Sequence, residues 1–289
     1  MMVELVQGIV SGLFVGFAYA ILGVGFSLAW GAGGVINVSH TAFAVLAAYL
    51  GYYANDLLGL DPLVALVGIV PAFFLIGVGF HGLLVRPLFA RTRNPELASL
   101  VLTFGVATVL ANAMVELFSA DPRMLDTPYT ETTLRLAGVS VPGGQAVAAA
   151  LAVVVLVTVY IFLHHTYTGR AVRAVQQERE GAALSGINTG LVNAVTFGLA
   201  FATAGAAGVA LSLVYSFGPT SYLAWLTFMF LVVIFGGVGS ATGAGVAGLA
   251  AGLVVGVSGV FVAYAWVNLV LFVFLVLVLL VRPQGLFPR

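Results

Sequence analysis

Nine stretches of this chain, at about 8–30, 36–54, 63–85, 97–118, 144–165, 191–215, 223–238, 241–258 and 262–281, are nearly free of charge. Roughly 20 apolar residues cross a bilayer as a helix, and in hydrocarbon every backbone N–H and C=O must find its partner within the protein. Helices are the structure such runs permit. Several runs are shorter than a square crossing requires, which predicts broken or tilted spans, a total of eight to ten, and soft boundaries. The expectation is an all-α polytopic membrane protein forming a single transmembrane domain over residues 1–289. At 62% hydrophobic residues, no soluble core of 289 residues needs so much apolar surface. The opening MMVELVQG has no basic segment and no cleavage signature, so the first span is expected to be retained.

One run breaks the pattern. Residues 166–188 read TYTGRAVRAVQQEREGAALSGIN, with Arg170, Arg173, Gln176, Gln177, Glu178, Arg179 and Glu180 close together in a protein that is only 7% charged. A polar island between apolar runs must lie in water, and this one is built like a short helix. Thr168 serves as N-cap, and Ala171, Val172, Ala174, Val175, Ala182, Ala183 and Leu184 supply helix formers and an apolar stripe. Gly186 ends it as C-cap, followed by Asn188. Charge alone leaves two readings: a loop whose arginines set orientation, or a docking helix for a cytosolic partner.

The arginines do set an orientation. Arg86, Arg91 and Arg93, then Arg170, Arg173 and Arg179, then Arg282 and Arg289 fall on one side if nine spans are threaded. That side is expected to be cytoplasmic, with the N-terminus outside and the C-terminus inside. All ten basic residues are Arg, which indicates biased genome composition rather than a nucleic-acid partner. The absence of cysteine excludes disulfides and thiolate metal sites.

A weak internal repeat adds detail. Phe14–Ala20 and Phe197–Ala202 open two glycine-spaced spans, which break at GAGGVINVSHT (31–41) and YSFGPTSY (215–222) respectively. Each break is followed by a Phe and, eight residues on, a Gly: Phe43 and Gly51, then Phe228 and Gly236. The two copies run in opposite senses, giving halves of about 8–118 and 191–281 joined by the 144–165 span. Interrupted spans at matching positions of inverted halves point to a transport path, so Asn37, Ser39, His40, Thr41, Gly218 and Thr220 are candidates to line it. The alternative is chance likeness between glycine-rich helices. Asn37 or Ser39 can also simply cap the second helix. Glycines at small-xxx-small spacing, in the separate sets Gly12 and Gly16, Gly205 and Gly208, Gly239 and Gly243, and Gly248, Gly252 and Gly256, read as helix packing.

Little else carries chemistry. Glu116, with Asn112 a turn earlier, lies near the outer end of its span, where snorkelling competes with function. His164 and His165 look interfacial. No nucleophile, acid–base pair, metal-ligand set or phosphate-binding loop is present. GGVGSATGAG at 236–245 reads as a tight turn between short helices. No catalytic residue and no metal is expected.

Four segments together resemble the LivH-type permeases of branched-chain amino acid ABC importers. The opening 12–51 carries Tyr19, Ala20, Gly31, Asn37, His40, Ala48 and Tyr49 in that family's order. TGRAVRAVQQEREGAALSGIN is similar to its cytoplasmic Thr-Gly-x-Ala-x-Arg-Ala segment, FGGVGSATGAGVAG to its Gly-Gly-x-Gly-Ser-x-x-Gly-Ala, and VRPQGLF (281–287) to its Arg-Pro-x-Gly-Leu-Phe close. Each is weak alone; four in order are specific. Thr41 stands where the family usually has Gly, and Val38-Ser39 where it has Phe-Ala.

The resemblance implies an inverted-repeat type II ABC importer permease fold. It implies a second permease subunit (LivM-like, or a second copy), two cytosolic ABC ATPases holding ATP and Mg, and an extracytoplasmic solute-binding protein. This chain would hold no cofactor itself. The segment 166–189 becomes the coupling helix, with Thr168, Gly169, Arg170, Arg173, Glu178, Arg179, Glu180 and Gly186 at the ATPase and charged rim contacts around the Ala/Val stripe. The expected cargo is an amino acid of the branched-chain class; an ion-coupled carrier or a urea or amide permease is the alternative.

Overall fold

The computed structural model describes residues 1–136 and 138–287, apart from the side chains of Leu136 and Tyr264; Arg289, read above with the other arginines, lies outside the described residues. Among the described residues there are nine helices of bilayer scale: α1 (Met2–Gly33), α2 (Ser39–Leu58), α3 (Pro62–Phe80), α5 (Pro95–Phe118), α6 (Gly143–His165), α9 (Thr189–Ser212), α10 (Ser221–Gly236), α11 (Ala241–Phe261) and α12 (Tyr264–Val281). Between them lie a π-helical turn (His81–Val85) and α4 (Arg86–Arg91), the hairpin β1 (Thr133–Leu136) and β2 (Val139–Pro142), and the short helices α7 (Tyr167–Gln177) and α8 (Arg179–Leu184). Among the described residues six helices are long and apolar enough to cross a membrane, the longest being Met2–Gly33 and the continuous Pro62–Arg91. The chain is a multi-pass membrane protein.

Local chemistry sets the ends. Asp61 caps α3 by accepting the Leu63 N–H, with Pro62 at the first helical position, where a missing N–H costs nothing. The π turn precedes Pro87, whose ring would clash with the Leu83 carbonyl in a regular helix; widening the turn carries the helix past it. Between α5 and α6, Thr133–Leu136 pairs with Val139–Pro142 across Gly138, whose φ of 85° only glycine adopts readily. Gln7 exchanges two hydrogen bonds with the Ser140 backbone, clasping the hairpin to α1.

α1 lies chiefly against α11, and α9 chiefly against α3, two long pairings between helices far apart in sequence. Small residues carry both contacts: Gly12 and Gly16 face Gly248 and Gly252 backbone to backbone, and Gly77 faces the Phe197 carbonyl. α1, α2 and α9 form the buried centre, while Leu75, Phe104, Val154 and Val276 turn apolar side chains outward, as lipid contact demands.

Candidate functional site

At the arginine-rich end three pieces of chain meet: the break between α1 and α2, the start of α5, and α7–α8. Gly31–Gly34, Asn94–Leu97 and Val175–Arg179 enclose a cavity of about 600 Å³.

The break is built from unwound backbone held by a neighbouring helix. α1 stops at Gly34, whose φ of 64° is left-handed, and α2 resumes at Ser39. Ser99 Oγ accepts the Ile36 N–H (3.1 Å), and Thr103 Oγ1 accepts the Val38 N–H (3.0 Å) and approaches the Ile36 carbonyl (3.0 Å). Neither Asn37 nor Ser39 caps α2 through its side chain, contrary to the sequence reading; instead the Ser39 hydroxyl donates to Asn37 Oδ1 at 2.6 Å. Ser99 and Thr103 supply partners to backbone that would otherwise be stranded. Two hydroxyls one turn apart inside an apolar run were the signal available for them. Thr103→Val is expected to cost about 1–3 kcal/mol by stranding buried groups. Earlier thermal unfolding of the purified chain and faster amide exchange at Val38 would register it.

Asn37, Ser39, His40 and Thr41 are fully buried, and His40 lies edge-on to Phe26 (6.1 Å) and Phe201 (6.4 Å). Gly218 and Thr220 lie at the other end of the bundle. Their neighbour Phe217 packs on Tyr49 and Tyr52 and pairs through its backbone with Arg123. Thirteen residues of α2 separate Ser39 from Tyr52, about 20 Å at 1.5 Å per residue. The structure does not bring the two sets together. Glu116 and Asn112 are exposed on α5, away from the buried centre, and Asn112 donates to the Thr108 carbonyl of its own helix.

The polar island folds as two helices rather than one. Thr166, not Thr168, is the N-cap: its hydroxyl accepts the Gly169 N–H at 2.9 Å. The cap sits two residues earlier because Gly169 packs onto the Phe162 carbonyl, a contact too close for any Cβ. Thr166→Ala is expected to cost about 1 kcal/mol, seen as faster exchange of the Gly169 amide. At Glu178 the chain becomes extended, and its carboxylate caps α8 through the Glu180 N–H. Gly186 (φ 83°) follows α8, with the Ile187 N–H reaching Ala182 and the Gly186 N–H reaching Ala183, a Schellman closure.

The Ala/Val stripe is divided. Val172 and Val175 point inward and are buried, whereas Ala171 and Ala174 line an outward groove of about 350 Å³ with Tyr167, Arg170 and Ile187. Arg170, Glu178, Arg179 and Glu180 are exposed. Arg173 is half-buried, with its Nε enclosed and without a hydrogen-bond partner among the described residues, so it belongs to the inner packing more than to a rim.

Two further motif segments meet at this end. The Leu286 and Phe287 N–H groups bond to the carbonyls of Phe235 and Gly236, and Gly285 (φ 83°) sits against the Gly237 backbone. The turn 237–240 joins α10 to α11 with Ser240 as cap, as its glycines suggested.

The model of the family described as "branched-chain amino acid transport system / permease component" matches residues 8–280. The chain is 28% identical to the high-affinity branched-chain amino acid transport system permease protein LivH of Escherichia coli K12, over 98% of this chain and 95% of the relative. It is 29% identical to the corresponding BraD of Pseudomonas aeruginosa, with the same coverage. A fructose import permease protein, FruG of Bifidobacterium longum, is 30% identical over 62% of this chain and 52% of its own length. No solved structure matches significantly.

Proposed function

The chain belongs to the family of branched-chain amino acid transport system permease components, and on that premise we propose that it is a transmembrane subunit of an ATP-driven importer of leucine, isoleucine and valine. Its partners are a second permease subunit or a second copy, two cytosolic ATPases that hold ATP and Mg, and an extracytoplasmic binding protein. The observation that carries this reading is α7, an amphipathic helix docked on the membrane helices with an apolar groove facing outward between Tyr167 and Ile187. That groove fits an ATPase surface.

Closure of the ATPases would push on α7, which contacts α1, α6 and α9. Movement of the halves at about 8–118 and 191–281 against each other then opens the path to alternate sides. Reciprocal packing of first on third helix supports treating them as inverted units. The collection of Arg86, Arg91, Arg93, Arg170, Arg173, Arg179 and Arg282 at one end supports a cytoplasmic location for that end, with the N-terminus outside. An enclosed His40 and an outward Glu116 give ion coupling little to work with. Tagged chain purified from its native membranes is expected to bring down an ATPase and a second transmembrane subunit. In proteoliposomes that assembly should take up leucine only with ATP. A chain recovered alone, or ATP-independent uptake, overturns the importer.

A further inference from the structure

The widened turn ahead of Pro87 has a second consequence. It brings His81 and Arg86 to the start of α9 and the tip of α8, where a cavity of about 170 Å³ is lined by Gly33, His81, Arg86, Arg179, Gly190 and Asn193, among others. The charge in it is one-sided. Arg86 and Arg179 come from separate elements and line the same cavity as His81, and among the described residues neither has a carboxylate within salt-bridge distance. Glu178 and Glu180 flank Arg179 in sequence, but the Glu178 carboxylate is turned to cap α8 and neither glutamate forms a salt bridge with Arg179 among the described residues.

The remaining wall donates as well. Asn188 satisfies the Leu191 N–H, while the N–H groups of Thr189 and Gly190 stand in the first turn of α9 with no helical carbonyl behind them. Asn193 lies a turn further in, 4% exposed, with its amide oxygen unpartnered among the described residues; an amide that turned over would present its NH₂ instead. Two guanidiniums, an imidazole, an amide and a helix N-terminus around one small space form a receptor for a compact, multiply accepting anion.

We propose that this cavity binds the phosphate of an anionic phospholipid. Its position selects the lipid over a free ion. Leu83 and Leu191, one step outside the lining on the same two helices, are 78% and 63% exposed, so acyl chains would have apolar surface directly beside the phosphate. The cavity sits at the arginine-rich end of Pro62–Arg91, where that helix leaves the membrane.

Native mass spectrometry of the full-length, delipidated chain tests this with three probes: phosphatidylglycerol, phosphatidylcholine and inorganic phosphate. Wild type is expected to retain one phosphatidylglycerol in preference to phosphatidylcholine. The double variant Arg86→Gln/Arg179→Gln should weaken that retention roughly thirty-fold, on the order of five-fold per arginine at a membrane surface. Arg93→Gln, an exposed arginine at the same end but outside the cavity, should retain the lipid as wild type does. Both arginines of the cavity are exposed residues, so the double variant should fold; an unchanged melting temperature in detergent checks that. Equal retention of the two lipids by wild type, or unchanged retention by the double variant, overturns the site. If inorganic phosphate alone raises the melting temperature of wild type but not of the double variant, the cavity serves a free phosphate and the lipid assignment falls.

Discussion

Gly252→Leu is expected to prevent α1 from seating on α11 and to leave little folded protein to purify. A Cβ at position 252 would run into the Gly12 carbonyl and the Gly16 backbone, and neither can move without shifting a whole helix. In lipid no hydrophobic drive remains to hold the helices together at a distance, so close packing carries the association. Overpacking a side chain into a fitted interface costs about 1–3 kcal/mol, and here the obstacle is rigid backbone, which places the cost at the upper end. Gly259→Leu is the control on the same helix, because a Cβ there meets nothing within 4 Å. Monodisperse yield and melting temperature in detergent separate the two. If both variants behave alike, the α1–α11 glycine contact is not what holds this pair.

Ala174→Arg is expected to spare the fold and abolish ATP-driven uptake. Ala174 is half-buried in the wall of the outward groove, where a long cation has solvent to enter. It would fill the space of about 350 Å³ proposed above to seat an ATPase. Truncating or blocking the centre of a docking interface costs about 2 kcal/mol or more, roughly a thirty-fold loss of ATPase recovered with the chain. Melting temperature should stay near wild type while uptake in proteoliposomes drops to background. Normal uptake by this variant would mean that the groove is not the coupling surface. The inward Val175 could not make the same distinction, since a charge there would damage the fold first.

How much of this could be read beforehand depended on the solvent. Spans were legible because hydrocarbon leaves so few options: the runs at 97–118 and 144–165 became Pro95–Phe118 and Gly143–His165. The run at 63–85 matches α3 and its π turn, and the continuous helix carries on through α4 to Arg91, where the charged residues no longer mark a span. Thr168 lost the cap to Thr166 because α7 starts directly after α6, with Gly169 packed on Phe162 and its N–H on the Thr166 hydroxyl, a junction that residue type alone does not mark. Val172 and Ala174 share a stripe in sequence and face opposite partners in space, and only the packing of α6 and α9 tells them apart. Ser99 and Thr103 were hidden for another reason: a hydroxyl in an apolar helix usually bonds its own helix, as Thr108 does here.

The opposed chain ends have a consequence for how such a chain can be duplicated or engineered. Gln7 is tied to the hairpin at one end of the bundle, and Leu286 to the α10–α11 turn at the other, so these residues near the two ends of the chain lie at opposite ends of the bundle. Two copies cannot be joined tail to head by a short soluble linker, because the second would be inserted upside down. A working single-chain tandem would require an additional crossing between the copies.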